Sequence, residues 1–193
     1  MADSGSTDVT LEIARSVGAR TVAGPAGRGA GMNAGAAVAT GEILLFLHAD
    51  TRLPTAAHHL ICEALDDPSV AATAFHLTMD GQGWRYRFVG FASRIRVRVQ
   101  RTFFGDQAIA VRRNDFERIG GYSEPVLMED VALSKRLRRE GKLRVLPAEA
   151  VTSARRFQHG GVVRTLVFMT VLQFAYALGV STSRLARLYR HVR

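Results

Sequence analysis

Four short stretches of the chain carry side chains able to bind a cation, hold phosphate or move a proton. "FLHADTRLP" ends an apolar run with His48 and Asp50. A hard carboxylate such as Asp50 can hold a divalent cation that in turn bridges a diphosphate; it can equally cap the turn before Pro54. "GRGAGMNAG", from residue 27, offers flexible backbone amides and Arg28 to phosphate oxygens. It lacks the Gly-Lys-Ser/Thr ending of a P-loop and fits the dinucleotide fingerprint only in part, so a plain loop before an alanine-rich helix accounts for it as well. "MED" places Glu129 and Asp130 in a first helical turn. Acids there are stabilised by the helix dipole, or one of them serves as general base toward an acceptor hydroxyl. "FFGDQ" sets Asp106 and Gln107 just before a strand, to orient a substrate or to close a turn.

These groups act together only if regular elements bring them to one place. Leu11, Ala14 and Val17 at helical spacing, stopped by Gly18, predict a short first helix. A second helix is predicted after Asn33, closing at Gly41. Residues 42–47 and 70–79 are apolar enough to be strands buried on both faces, and Pro54 suits the first turn of a helix between them. In "WRYRFVGFASRIRVRVQ", Ile95, Val97 and Val99 alternate with arginines as in a half-buried strand, yet a helix with a wet arginine face fits too and is the reading adopted. "AIAVRR" predicts a strand, Asn114 with Glu117 a capping box, residues 128–140 a helix ended by Gly141, and "LRVLP" a last strand. Strands alternating with helices give an α/β layered domain. In an open sheet of that kind, ligands bind beyond the carboxyl ends of the strands, which is where His48 and Asp50 fall.

The 193 residues suit one globular domain; 47% are hydrophobic and 22% charged, too apolar for a disordered chain. The formal net charge is +9, almost all of it from arginine, with Lys135 and Lys142 the only lysines. Such a balance favours anionic partners. Cys62 is the sole cysteine, which excludes an intrachain disulfide or a thiolate metal cluster and fits a reducing compartment. Residues 166–180 are apolar and are followed by the basic "RLARLYRHVR". Gln173 and the hydroxyl residues make this stretch marginal against the roughly 20 apolar residues of a membrane span. A helix packed on the domain, a peripheral membrane contact through 165–193 and a solvated helix are all open.

In order, "DSGSTDVT" (3–10), "GRGAGMNAGAAVATGEILLFLHADTRLP" (27–54), "FFGDQAIAVRRNDFERIGGYSE" (103–124) and "LMEDVALSKRLRREGKL" (127–143) resemble family 2 glycosyltransferases, inverting enzymes of GT-A fold that use nucleotide-activated sugars. The set is most similar to the bacterial subgroup that has His-Ala-Asp in place of Asp-X-Asp, the arsenosugar-biosynthesis type. The resemblance implies a Rossmann-like three-layer domain over 1–158 with a mostly parallel central sheet, and an apolar and basic helical tail over 159–193. It also implies that Asp3, Arg28 and Asn33 hold the nucleotide. Asp50, with His48 as neighbour, would bind Mg²⁺ or Mn²⁺ on the diphosphate. Asp130 would be the general base with Glu129 beside it, and Asp106 and Gln107 would face the acceptor. The expected partners are a nucleotide-sugar donor and an acceptor of unknown identity, with an oligomer allowed and no nucleic acid. The expected location is the cytoplasm, including the inner face of the membrane.

Family members open with a strand, a helix and a second strand that runs into the "DSGSTD" element, whereas this sequence starts at that element. The expectation is therefore an amino-terminally truncated GT-A domain. Two competitors follow: an inactive remnant, and a basic module for anionic membrane or nucleic acid that rests on the arginines of residues 94–101.

Overall fold

The computed structural model describes residues 1–25, 27–123 and 127–190; Glu124, which ends the third of the resembling stretches, and residues 191–193 of the tail lie outside them. Ala2–Asp3 (β1) pairs in parallel with Val22–Ala23 (β2), bridged by Thr10–Ser16 (α1). Helix α1 buries only Ala14, leaving Val9, Ile13 and Val17 exposed. Arg28–Val38 (α2) starts well before Asn33 and leads to Ile43–Phe46 (β3), Thr51–Arg52 (β4), Ala57–Leu65 (α3) and Val70–Met79 (β5). Trp84–Gln100 (α4), a 3₁₀ turn at Gly105–Gln107, Ile109–Arg112 (β6), Arg113–Arg118 (α5), Glu129–Glu140 (α6) and Lys142–Thr152 (β7) complete the layers. Three helices close the chain: Arg155–Gly160 (α7), Val162–Ala177 (α8) and Thr182–Arg190 (α9).

The five-stranded sheet runs β3-β6-β5-β7-β4. Only β5 and β7 are parallel; β3–β6, β6–β5 and β7–β4 are antiparallel. The α/β layering holds, but the expectation of a mostly parallel sheet is corrected to a mixed one. None of these antiparallel partners is joined by a tight hairpin, so no turn signal announced their direction. Strand β5 is buried on both faces. Phe75 packs with Ala57, Ile61 and Leu65 of α3, while Ala72 and Ala74 join Val97, Phe103, Leu133 and Leu137 on the other side.

Helix α4 settles the ambiguous arginine-rich stretch. Its buried positions Val89, Gly90, Ser93 and Val97 follow helical spacing, while Ile95 and Val99 stand exposed. The alternation of Ile95, Val97 and Val99 is thus an accident of composition. Gly90 lets α4 sit against β5, since a Cβ there would lie 3.0 Å from the Leu77 carbonyl.

Strand β7 is longer than "LRVLP". Pairing with β5 shifts between Phe75–Leu146 and His76–Glu149, leaving Pro147 and Ala148 in a bulge. Proline has no ladder N–H to lose there, so the strand resumes and reaches Thr152, which pairs with Thr51. The expected Asn114 capping box is also corrected: α5 is preceded by Arg112 with no side-chain cap, and Asn114 lies inside the helix.

Helices α8 and α9 contribute Leu172, Leu185 and Ala186 to the same core as the sheet. Among the described residues no helix is long and apolar enough to cross a membrane.

Arg112 joins four elements. Its guanidinium donates to the carbonyls of Leu65 (2.7 Å), Asp67 (2.8 Å) and Val70 (3.0 Å) and to Asp115 Oδ2 (2.8 Å). Lysine lacks the planar fork that spans these acceptors. Arg112→Lys is expected to lower the unfolding free energy by about 2–4 kcal/mol, read from urea melts followed by circular dichroism.

Candidate active site

His48 and Asp50 leave the end of β3, and the short β4 then fixes where they go. The Thr51 hydroxyl lies 3.0 Å from that of Thr152, and Ser153 N donates to the Asp50 carbonyl at 3.1 Å. This seam along β7 holds Asp50 at the sheet rim with its residue exposed. His48 is half-buried and turned inward. Its Nε2 is sealed from solvent without a hydrogen-bond partner.

The turn at Gly105–Gln107 and the start of α6 meet His48 from the other side. Gly105 N donates to Asp130 Oδ2 at 2.8 Å, and Val131 N to Asp130 Oδ1 at 2.7 Å. A Cβ at position 105 would come 2.7 Å from His48 Nε2 and 3.6 Å from Asp130 Oδ2, so any other residue there would displace the imidazole. His48, Gly105 and Asp130 therefore form one contact. Asp106 follows, with Oδ1 sealed from solvent and unpartnered. Burial pushes its carboxyl above the ordinary value; nearby Arg96 opposes the rise and Asp130 adds to it.

Arg96 lies 3.5 Å above the Phe104 ring, with Nε buried and unpartnered. Burial presses its guanidinium below the ordinary value, against the pull of Asp106 and Asp130. Glu129, only 2% exposed, pairs with Arg28, Nε to Oε1 at 2.9 Å. Burial still pushes Glu129 upward despite Arg28.

Arg28, His48, Asp50, Arg96, Asp106 and Asp130 line one cavity of about 240 Å³. Arg155 and Arg156 of α7, Gln173 of α8 and Tyr189 of α9 line it as well. Four sequence-predicted residues, Asp3, Asn33, Gln107 and Glu129, lie outside the lining. Asn33 spends its amide on Tyr122, donating to that residue's carbonyl and accepting from its N–H, both at 2.8 Å. Gln107 accepts from Phe104 N and donates to the Phe75 carbonyl, both at 3.0 Å. Asp3 accepts from the Ser6 hydroxyl and from the amides of Ser6 and Gly5, which hold its carboxyl below the ordinary value. Glu129 touches the site through Arg28. A larger cleft, about 920 Å³, lies between α4 and β7 with Arg94, Arg98, Arg101 and Arg138 at its edge and none of the predicted site residues.

Arg96 is the residue that sequence reasoning missed. On the helix it shares a face with the buried Val89 and Ser93, a placement that the reading of a wet arginine face did not single out.

Residues 1–121 match the model of Glycosyl transferase family 2. The chain belongs to that family. No curated protein is significantly similar to it. Among solved structures, a mannosyltransferase from Pyrobaculum calidifontis in complex with GDP-Man and Mn²⁺ is similar at 21% identity and a TM-score of 0.62, over 89% of this chain and 53% of that one. Glucosyl-3-phosphoglycerate synthase from Mycobacterium tuberculosis in complex with phosphoglyceric acid is similar at 19% identity and 0.56, over 86% of this chain and 65% of that one. S. aureus TarS (residues 1–349) is similar at 16% identity and 0.60, over 88% and 54%. This family member thus spans little more than half to two thirds of the length of these structures and shares their glycosyltransferase fold.

A carboxylate whose folded pKa is raised destabilises the fold at pH values above its unfolded value. Stability linked to Asp106 is fully present below about pH 4, near the unfolded carboxylate value, and is lost as pH rises through the folded value. Asp106→Asn is therefore expected to raise Tm at pH 7.5 by about 2–4 °C, equivalent to roughly 1 kcal/mol. The gain should shrink as pH falls toward 4; an equal gain at both pH values in thermal melts would refute the assignment.

Proposed function

We propose that this family member transfers a glycosyl group from a nucleotide-diphosphate sugar to an acceptor hydroxyl by a single inverting displacement. The observation that carries the reading is the convergence of Asp130, Asp106, Asp50 and His48 with Arg28 and Arg96 in one cavity. A base, an anion-binding cation and a hard carboxylate are what that reaction requires.

Asp130 is the base. Each of its oxygens accepts one backbone N–H, and an ionised carboxylate has capacity for more. It takes the acceptor proton as the acceptor oxygen bonds to the anomeric carbon and the bond to the nucleotide diphosphate breaks. Glu129 is held by Arg28, so it places that guanidinium toward the leaving diphosphate. Asp3 faces the nucleoside side, and Asn33 serves by locking α2, which carries Arg28, to the backbone of Tyr122. Gln107 supports the acceptor side by fixing the turn that presents Asp106.

The protein ligands for a divalent cation are sparse. Among the described residues no group of three His, Cys, Asp or Glu side chains is arranged to hold one. Asp50 at the rim would hold such an ion through its carboxylate, with His48, whose Nε2 has no protein partner, as its neighbour. Such an ion, when bound, neutralises charge on the leaving group.

Calorimetric titration with UDP and GDP in Mn²⁺ tests the reading. One of them should bind, and Asp50→Ala should weaken it at least tenfold, about 1.4 kcal/mol. Binding that is indifferent to Asp50→Ala and collapses with salt would instead favour a basic module, with the arginine-edged cleft between α4 and β7 as its seat. Absence of nucleotide binding would favour an inactive remnant.

A further inference from the structure

An apolar groove of about 520 Å³ opens between α4 and α8. Phe88, Phe91, Ile95 and Val99 line it from α4, and Leu166 and Met169 from α8. The α4 residues fall on one helical face and are 48–75% exposed. Large apolar side chains left in water along a concave surface mark a binding groove more often than an idle surface.

The groove does not end blindly. Arg96, Asp106 and Arg156 line both it and the cavity that holds Asp130. At this junction Arg96 Nε and Asp106 Oδ1 are buried without partners. Buried polar atoms in folded proteins are nearly always satisfied, by protein, by water or by a ligand, and this junction is open to the polar group of a ligand from both the groove and the cavity. A molecule that lies along the groove and reaches Asp130 must be apolar for most of its length and polar at its inner end. The two arginines favour an anionic head, and the proximity of Asp130 calls for a hydroxyl on it.

We propose that the acceptor is a single-chain amphiphile whose alkyl chain lies between α4 and α8 and whose anionic, hydroxyl-bearing head sits at Arg96, Asp106 and Arg156. This assignment rests on the glycosyl-transfer reading and names its acceptor class. The continuity of groove and cavity sets this occupant apart from a bilayer or a second copy of the chain. Either of those would cover the outer stripe of α8 formed by Val163, Val167, Val171, Phe174 and Leu178, none of which lines the groove.

The test is calorimetric titration of the protein with lauroyl lysophosphatidylglycerol below its micelle concentration, with glycerol 3-phosphate as the head alone. UDP and GDP in Mn²⁺ are titrated in parallel. The lysolipid should bind at least tenfold more tightly than glycerol 3-phosphate. Thr170→Trp, which fills the groove, and Val99→Asp, an exposed substitution on its α4 wall, should each weaken it at least tenfold while leaving nucleotide binding intact. Val171→Asp on the outer α8 stripe should leave the lysolipid unaffected. Equal binding of head and lysolipid, or a loss in Val171→Asp but not in Thr170→Trp, would overturn the groove. Nucleotide binding without lysolipid binding overturns this proposal and spares the transfer reading; lysolipid binding without nucleotide binding overturns the acceptor assignment together with that reading.

Discussion

The hydrogen bond from Gly105 N to Asp130 Oδ2 fixes that carboxylate where the chain before β6 meets α6, a junction that the Phe103–Ser134 hydrogen bonds also hold. It joins the turn between α4 and β6 to the first turn of α6, and His48, from the end of β3, packs against Gly105, where a Cβ would come 2.7 Å from its Nε2. Three elements are thereby held to one point at the sheet rim. Asp106, one residue on, is carried inward by the same turn, and Gln107 anchors that turn to β5 through the Phe75 carbonyl.

The electrostatic character of the cavity follows from this crowding. Three acids, Asp50, Asp106 and Asp130, and four arginines, Arg28, Arg96, Arg155 and Arg156, line a small space, yet among the described residues none of these acids forms a close ion pair and Arg28 pairs with Glu129 behind the lining. Asp106 and Arg96 influence each other but keep unpartnered atoms. A site built this way is less stable alone than with its ligands, because desolvated polar groups recover their cost only when something bonds to them. Around it stand the Phe46, Phe116 and Tyr122 rings, tilted and edge-to-face with centroids 4.9–5.8 Å apart, the Asn33 clamp on Tyr122, and the Arg112 fork at the end of β6.

The closing helices are part of the same design. Arg155, Arg156, Gln173 and Tyr189 face the cavity, while Leu172 and Leu185 enter the main core. The helical tail thus contributes Gln173 and Tyr189 to the lining of the site.

Sequence alone determined the element types and the chemically able residues. Apolar runs gave β3 and β5, glycine marked the end of α6, and the ordered stretches around Asp50, Asp106 and Asp130 pointed to the family. These are local signals: side-chain periodicity, turn chemistry and residue type act within a few positions. Tertiary structure alone decided strand direction, the bulge that carries β7 past Pro147, and which polar residues face the cavity. Asn33 and Gln107 were legible as polar and near the motif, but only packing showed their amides consumed by backbone. Arg96 was legible as one arginine among many, and only the seating of α4 on β5 buried it. The physical reason is that burial and pairing depend on segments tens of residues apart, joined without hairpins, and no local pattern encodes which of them arrives to satisfy a given group.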